Sequence, residues 1–585
     1  MTHASSSSTA VAEAAAANQN ILSTRATLSM DLLKATHHYV ELMLDAVSGM
    51  KVLLLDKETT GMVSMAYTQS DILERDVFLF DRIDVKEREV MMHLKAVVFV
   101  RPTDENIERL ADELRSPKYS EYYLFFSNVI SVNHLQALAK ADEHESVCQV
   151  KEYYCDYFTI HRDLFTLNIP SCISLEPSVH QQLLNRICDG VASVLLSLKK
   201  NPIIRYQKNS ELSQRVSQEL ARRMVEERSL FVHRRSDVQA PVLLIIDRRN
   251  DPVTPLLSQW TYQAIVHELI GVKNNRVHLK SSSRELNEVV LSPENDEFYA
   301  ENMYLNWGEL GVNIKNLMQK VQTVDKSNRN ISSIADMKRF IENFPQFKKL
   351  KGNVSKHIAV LDELSRLVQS RKLIDVSALE QELACKNDHS EALDEVSEKI
   401  ANPQVRVAEK IRLVMLYALR YERDSSNETK NLLSKLEQQG IPRDTLSLIP
   451  ALLRYAGFDQ RCGDLFENTD WMSRFASKLK SGLKGVENIF TQHNPLLHNL
   501  LEELFKGRLS EQNYPAIGGN STANQKPREV IVFFVGGTTY EEARTVAKIN
   551  REHPGVTVIL GGSTVHNSKS FLKDVEKIRA IAKKY

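Results

Sequence analysis

Short runs of consecutive apolar residues organise the first 160 residues. They are Lys51–Asp56, Val77–Phe80, Ala96–Val100 and Tyr122–Phe126, followed by an aromatic run from Tyr153 to Phe158. Each run is continuous rather than alternating, as in strands that a parallel sheet buries on both faces. Helical spacing separates them, at Asp104–Leu114 and Asn133–Lys140. An opening helix carries Leu33, His37, Val40, Leu44 and Val47 on one stripe and stops at Gly49. The pattern predicts a doubly wound α/β unit over 28–160, domain 1.

A second set of such strands is split along the chain. Pro241–Asp247 lies far from Glu529–Val535 and Val556–Leu560. Long amphipathic helical patterns fill the region between. Two C-terminal strands alone make a poor covered sheet, so the economical reading is one discontinuous sheet with a helical insertion. This gives domain 2 over 161–260 plus 501–585, and a mainly helical domain 3 over 261–500. The predicted fold class is therefore α/β plus α. Pro515, Gly518, Gly519, Asn520 and Pro527 make 508–528 read as an exposed loop.

Composition narrows the function classes. A chain of 585 residues exceeds one compact core. Lys+Arg and Asp+Glu both total 75, which argues against a globally basic nucleic-acid binder. No apolar run reaches the roughly 18 to 20 residues of a membrane span, so membrane contact is expected only through partners. The six cysteines are dispersed without paired spacing, which fits a reducing compartment. Residues 1–27 are Ser/Ala-rich, lack a basic start with a sustained apolar core, and read as a disordered extension; a transit peptide is the sharper alternative, with Arg25 as its only arginine.

Catalytic motifs are weak. Gly536-Gly537 joins a strand to a helix and offers backbone N–H groups to a phosphate, but its spacing matches no nucleotide fingerprint. Ser563, His566 and Ser568 lack a nucleophile elbow and an identifiable acid. His267-Glu268 fails the zinc-protease spacing because Gly271 stands at the second histidine position. Asp247–Pro252 reads as a salt-bridge and turn network. No catalytic residue, metal or cofactor is expected. The competing reading is an α/β enzyme holding a nucleotide or phosphate at Gly536-Gly537.

Several segments carry a family likeness. "LLIIDRRNDPVTPLLSQWTYQAIVHELIG" from Leu243 to Gly271, Asn201–Tyr206, "VGGTTYEEA" and "LGGSTVHNSKSFL" occur in one order. Together they resemble the SM family, the Sec/Munc-type regulators of SNARE-driven membrane fusion. The likeness runs from about residue 28 to the end of the chain. It implies an arch-shaped three-domain fold and a non-catalytic role: binding a syntaxin-type Qa-SNARE of trans-Golgi or endosomal membranes and promoting SNARE complex assembly. It further implies an R-SNARE and the assembled SNARE complex as partners, a Rab effector or tether as another, no nucleic acid, and a monomeric protein in the cytoplasm, peripherally on trans-Golgi and endosomal membranes. A subunit of a vacuolar tethering complex is the alternative within the family.

The resemblance also assigns residues. A syntaxin N-terminal peptide would anchor in a pocket outside domain 1 formed by Phe125, Ile130, Leu135 and Leu138, with Glu152 meeting a basic peptide residue. The central cleft would draw on the stretch from Lys57 through Glu74 and Arg75. A domain 3 hairpin would hinge at Pro345 and present Ile358, Leu361 and Leu364 to a partner helix. The residues alone leave alternatives open. Leu135 and Leu138 also suit a helix packed on its sheet, the charges suit a solvated face, and the stripe suits a core.

Overall fold

A computed structural model describes residues 30–173, 177–231, 239–280, 287–329, 334–466, 489–518 and 526–582. Helix α1 (Leu32–Asp45) starts the fold, with the Asp31 carboxylate accepting from the Leu33 and Lys34 N–H groups. Strand β1 (Lys51–Leu55) leads through the Asp56/Thr59 capping box into α2 (Lys57–Ala66), then α3 (Gln69–Leu73) and β2 (Val77–Arg82). Next come β3 (Met91–Val100), α4 (Asp104–Arg115), β4 (Tyr119–Phe126), α5 (Val132–Ala141) and β5 (Val147–Glu152). These strands form one parallel sheet in the order β2-β1-β3-β4-β5, a doubly wound arrangement.

The second sheet gathers strands from both ends of the chain. Its first members are β6 (Phe158–His161) and β7 (Leu164–Thr166), which pair antiparallel. Helix α6 (Pro177–Ser197), β8 (Ile203–Tyr206), α7 (Glu211–Glu226) and β9 (Val242–Asp247) follow. The expected boundary at 160 thus cuts through β6. The aromatic run Tyr153–Phe158 is not a strand up to Phe158. Its aromatic side chains at Tyr153 and Tyr157 are buried where the chain passes between sheets, and the strand signal it imitates belongs to β5 and β6 on either side.

The intervening region is mainly helical. It includes α8 (Tyr262–Leu269), the small antiparallel pair β10 (Arg276–His278) and β11 (Glu288–Val290), α9 (Glu297–Asn302), α10 (Trp307–Arg329), α11 (Ile334–Arg371) and α12 (Leu373–Cys385). Helices α13 (Val407–Arg420) and α14 (Leu448–Ala456) extend a core shared with Val253, Leu256 and Leu257. The chain then returns through β12 (Glu529–Val535), β13 (Thr538–Thr539), α15 (Tyr540–Glu552), β14 (Thr557–Gly562), β15 (Val565–His566) and α16 (Ser568–Ala582). Sheet order is β6-β7-β14-β12-β9-β8, with β12 seated between β9 and β14 in parallel register. The discontinuity expected from sequence is real.

The expected loop is turn-rich, with Ser510, Glu511 and Gln512 exposed, but it is anchored, and its residues 519–525 lie outside the described residues. Leu509 and Tyr514 are buried, and Ile517 N–H donates to the Ile204 carbonyl. The buried Arg205 guanidinium donates to the carbonyls of Leu509 and Tyr514, each at 2.9 Å. A charged side chain in β8 thereby clamps a segment that has no strand pattern of its own.

A buried ion pair closes the split sheet. Arg248, just after β9, donates to both oxygens of Glu542 in α15 at 2.8 and 2.9 Å, and both side chains are fully buried. Its Nε donates to the Asp251 carbonyl, and the guanidinium lies over the Phe534 ring. Removing one partner leaves a buried charge unpaired, which costs about 3–5 kcal/mol. Glu542→Ala is therefore expected to lower stability in urea unfolding by about that amount. Arg248→Met combined with Glu542→Leu is expected to recover most of the loss.

Candidate functional site

Two surfaces carry the residues singled out by sequence. The first is the outer face of the first sheet. Ser131 caps α5 by accepting from His134 N–H, which turns the chain just after Ile130. The Ile130 N–H donates to Glu152 Oε1 at 2.9 Å, and the Tyr154 hydroxyl donates to Oε2 at 3.1 Å. Glu152 is thus already engaged in fixing the 127–131 turn against the end of β5. Ile130 and Leu138 are buried in the core beneath α4 and α5, alongside Leu124 and Phe126.

Phe125 does not join them. It is fully buried on the opposite side of the sheet with Val40 and Leu44, stacked on Tyr153 with ring centroids 5.2 Å apart. Strand side chains alternate between faces, so Leu124 and Phe126 stand under Ile130 and Leu138, and Phe125 cannot. The apolar side chains that this side leaves exposed are Val129, Val132, Leu135 and Val150. Of the predicted pocket residues only Leu135 is in that set. A neighbouring groove of about 310 Å³ runs between α4 and α5, floored by Ile107, Ala111 and Ala137 and rimmed by Asp104, Glu108 and His134. His134 Nε2 lies 2.8 Å from Asp104 Oδ1.

The second surface is a cleft between the first sheet and the helical domain. It encloses about 530 Å³. Leu53, Leu55, Val63, Ile72 and Phe80–Arg82 form one wall, and Asn274–Arg276, Val290 and Asn295 form the other. Most of the accessible lining surface is apolar, its charged groups are Asp81, Arg82 and Arg276, and Gln69, Asn274, Asn275 and Asn295 add amides. Arg82 is oriented by Asp84, which accepts from its Nε at 2.8 Å.

Lys57, Glu74 and Arg75 do not line this cavity. Lys57 is exposed in the first turn of α2, and Glu74 is exposed at the end of α3. Arg75 is half-buried and committed elsewhere, pairing with Glu41 and Asp45 of α1 at 3.0 Å each. The α3 contribution to the wall comes instead from Thr68, Gln69 and Ile72. Capping decides this, because the Thr68/Asp71 box fixes where α3 begins and so which side of it faces β1.

In the helical domain α11 runs as one helix through Pro345, whose side chain lies outside the described residues. Leu364 is fully buried with Trp260 and Tyr262, whereas Ile358 and Leu361 are half-buried at the edge of that core. The predicted stripe thus divides into a core member and two flanking members. Val312 and Met318 of α10 are exposed apolar neighbours in sequence that the periodicity did not single out.

The glycine turn is filled. Gly536 and Gly537 both have positive φ, and a Cβ on Gly537 would lie 2.5 Å from the His566 ring. His566 Nε2 lies 2.7 Å from the Gly536 carbonyl. The Glu542 carboxylate accepts from Thr539 N–H at 2.8 Å and from the Thr538 hydroxyl at 3.0 Å. The helix N-terminus that would cradle a phosphate already holds the protein's own carboxylate, which removes the basis for the nucleotide-site alternative. Among the described residues no cluster of metal-ligating side chains occurs.

A fold of two parallel α/β units bridged by a helical insertion, with a cleft between the first unit and the insertion, defines the class. The chain belongs to the Sec1 family, whose model matches residues 51–574. It is 52% identical over 551 residues to vacuolar protein sorting-associated protein 45 of Mus musculus, covering 93% of this chain and 96% of the relative. The homolog from Arabidopsis thaliana is 46% identical over 569 residues, covering 95% and 99%. A solved complex of the SM protein Vps45 with the Qa SNARE Tlg2 superposes with a TM-score of 0.86 at 45% identity, covering 94% of this chain and 99% of that one.

The burial difference separates two substitutions in the same helix. Leu138→Lys is expected to destabilise the first domain by about 2–5 kcal/mol, the range for losing a buried leucine. Leu135→Lys is expected to change stability by under about 0.5 kcal/mol. Urea unfolding of the two variants checks this, and equal losses would contradict the placement of α5.

Proposed function

We propose that this chain is a non-catalytic regulator of SNARE-mediated vesicle fusion that binds a syntaxin-type Qa-SNARE and promotes SNARE complex assembly. The observation that carries the reading is the apolar-lined cleft between the first α/β unit and the helical domain, in a chain 45% identical to a Vps45 solved with the Qa SNARE Tlg2. The cleft suits the apolar face of a helix, with Arg82 and Arg276 available to its charged flank. The exposed patch around Val129, Val132, Leu135 and Val150 suits a short peptide with an apolar anchor. An R-SNARE would join on the side of α11 that carries Ile358 and Leu361. The work is done on trans-Golgi or endosomal membranes, reached through the SNAREs. No helix among the described residues is long and apolar enough to cross a membrane.

Calorimetric titration with the cytosolic domain of an endosomal Qa-SNARE tests the reading. Saturable binding is expected. Deleting the SNARE's N-terminal peptide, or introducing Leu135→Lys, is expected to weaken it at least tenfold, about 1.4 kcal/mol. Binding that survives both changes would move the affinity to the cleft, and no binding to any such SNARE would sink the proposal.

A further inference from the structure

A fully buried histidine, His357, interrupts the apolar stripe of α11. Val354, His357, Val360, Leu364 and Val368 are the buried positions on one side of this helix, and His357 is fully buried. It packs against the Phe298 ring with centroids 4.7 Å apart. Its two ring nitrogens reach two different elements. Nδ1 lies 2.7 Å from the Tyr262 hydroxyl of α8, and Nε2 lies 2.9 Å from Asp296 Oδ2. Asp296 is the N-cap of α9, where its Oδ1 accepts from Tyr299 N–H at 3.1 Å. Lys356 also pairs with Asp296.

The partners dictate the tautomer. A carboxylate only accepts, so Nε2 carries the proton and donates to Asp296, while Nδ1 accepts from the Tyr262 hydroxyl. The neutral ring is satisfied on both sides. A second proton, on Nδ1, would turn the Tyr262 hydroxyl from donor to acceptor and take away the acceptor of its own buried O–H.

Apolar contact is non-directional. A valine and leucine stripe alone would tolerate α11 sliding or rotating by a turn, whereas the two bonds of His357 can be made in one register only. We propose that His357 is the register pin of α11, a positioning residue that fixes this helix against α8 and the start of α9 and so holds Ile358 and Leu361 at the edge of the core, where a partner helix can reach them. The consequence for partner binding rests on the function proposed above; the pin itself does not.

Proton linkage gives the pin a pH dependence. Burial pulls His357 below the ordinary histidine value, although Asp296 acts the other way. Burial opposes ionisation of Asp296, but the bonds from His357 and Lys356 outweigh it and hold the carboxyl below its usual range. The other titratable groups at the ring are Tyr262 from α8 and Lys356 from α11, α9 presents the Phe298 ring, and α10 presents apolar Leu310 and Ile314 to the same core. A group with a lowered folded pKa stabilises the pinned state above its unfolded value, about 6.5, and that contribution is lost as pH falls below it.

The test places spin labels at the exposed positions Lys349 and Glu301 in the full chain, with Cys148 and Cys462 changed to Ser, and reads the distance distribution. The wild type is expected to give one narrow distance at pH 7.5 that broadens below about 6.5. His357→Leu is expected to show a component displaced by about one helical turn, ~5 Å, with no further response to pH. His357→Gln, which offers both an N–H and an acceptor, is expected to restore the narrow distance. If His357→Leu does not fold, Tyr262→Phe removes one bond without changing the packing and is expected to broaden the same distance. A narrow, unshifted distance in His357→Leu, or in Tyr262→Phe where that variant stands in, overturns the pin. Assembly of Qa- and R-SNARE cytosolic domains, followed by fluorescence, is expected to slow at least fivefold with His357→Leu. Displaced labels with unchanged assembly would leave the pin standing and overturn the role given to α11 in partner binding.

Discussion

The frame of this molecule depends on the buried ion pair between Arg248 and Glu542. The two residues come from the separated segments of one sheet, and the helical domain lies between them in sequence. Pairing β12 between β9 and β14 buries apolar residues, but such burial is tolerant of a slip in register. A guanidinium that reaches both oxygens of one carboxylate, its own Asp251 carbonyl and the Phe534 ring together is not. Two buried charges must be desolvated, and such a pair is not by itself evidence of stability. Its contribution is specificity, because a misjoined sheet would leave Glu542 buried without its counter-ion and Arg248 with only Asp251, 3.6 Å away.

The same device recurs where the helical domain meets the rest. Arg412 of α13 donates to Glu380 of α12 at 2.7 Å and to the Ser258 hydroxyl at 3.0 Å, and lies 3.3 Å from Glu268 of α8. Glu268 in turn accepts from the Ser568 N–H that opens α16 at 2.9 Å. Ion pairs with directional bonds thus mark the seams, and apolar clusters fill the interiors between them. These pairs fasten the helical domain to the second sheet, and the cleft's other wall is supplied by the first sheet.

The architecture was legible in the sequence wherever a strand is buried on both faces. Lys51–Leu55 and Val242–Asp247 are unbroken apolar runs, and both became central strands. That property also concealed the site. In a strand apolar on every position no alternation reveals which residue faces which layer, so Phe125 read as a neighbour of Ile130 although it stands on the other face. Arg75 was hidden by a different cause. Its partners Glu41 and Asp45 lie in a helix 30 or more positions upstream, beyond any local pattern. Residues 509–517 carry turn chemistry and became an ordered edge because Arg205, some 300 positions away, supplies the donors for their carbonyls. His357 read as an unremarked member of a helix. Its meaning appears only when Tyr262 and Asp296 are brought beside it.

The absence of an open phosphate cradle follows from how the sheet is closed. Doubly wound sheets offer ligands the crevice at the carboxyl ends of their strands, where a glycine turn leads into a helix whose N-terminus favours an anion. Here β12 ends in that turn and α15 begins just after it. Glu542, three residues after the N-cap Thr539 in the capping box, turns back over this N-terminus and accepts from the Thr539 N–H, while the Thr539 hydroxyl accepts from the Glu542 N–H. Arg248 then neutralises Glu542 from the β9 side. The anion that the helix favours is internal, and its counter-ion is the residue that locks the two segments together. The interaction that makes the discontinuous domain whole therefore uses up the place where a related sheet would bind a nucleotide. The concave and apolar surfaces that remain open lie between the first unit and the helical domain and on the outer face of the first sheet.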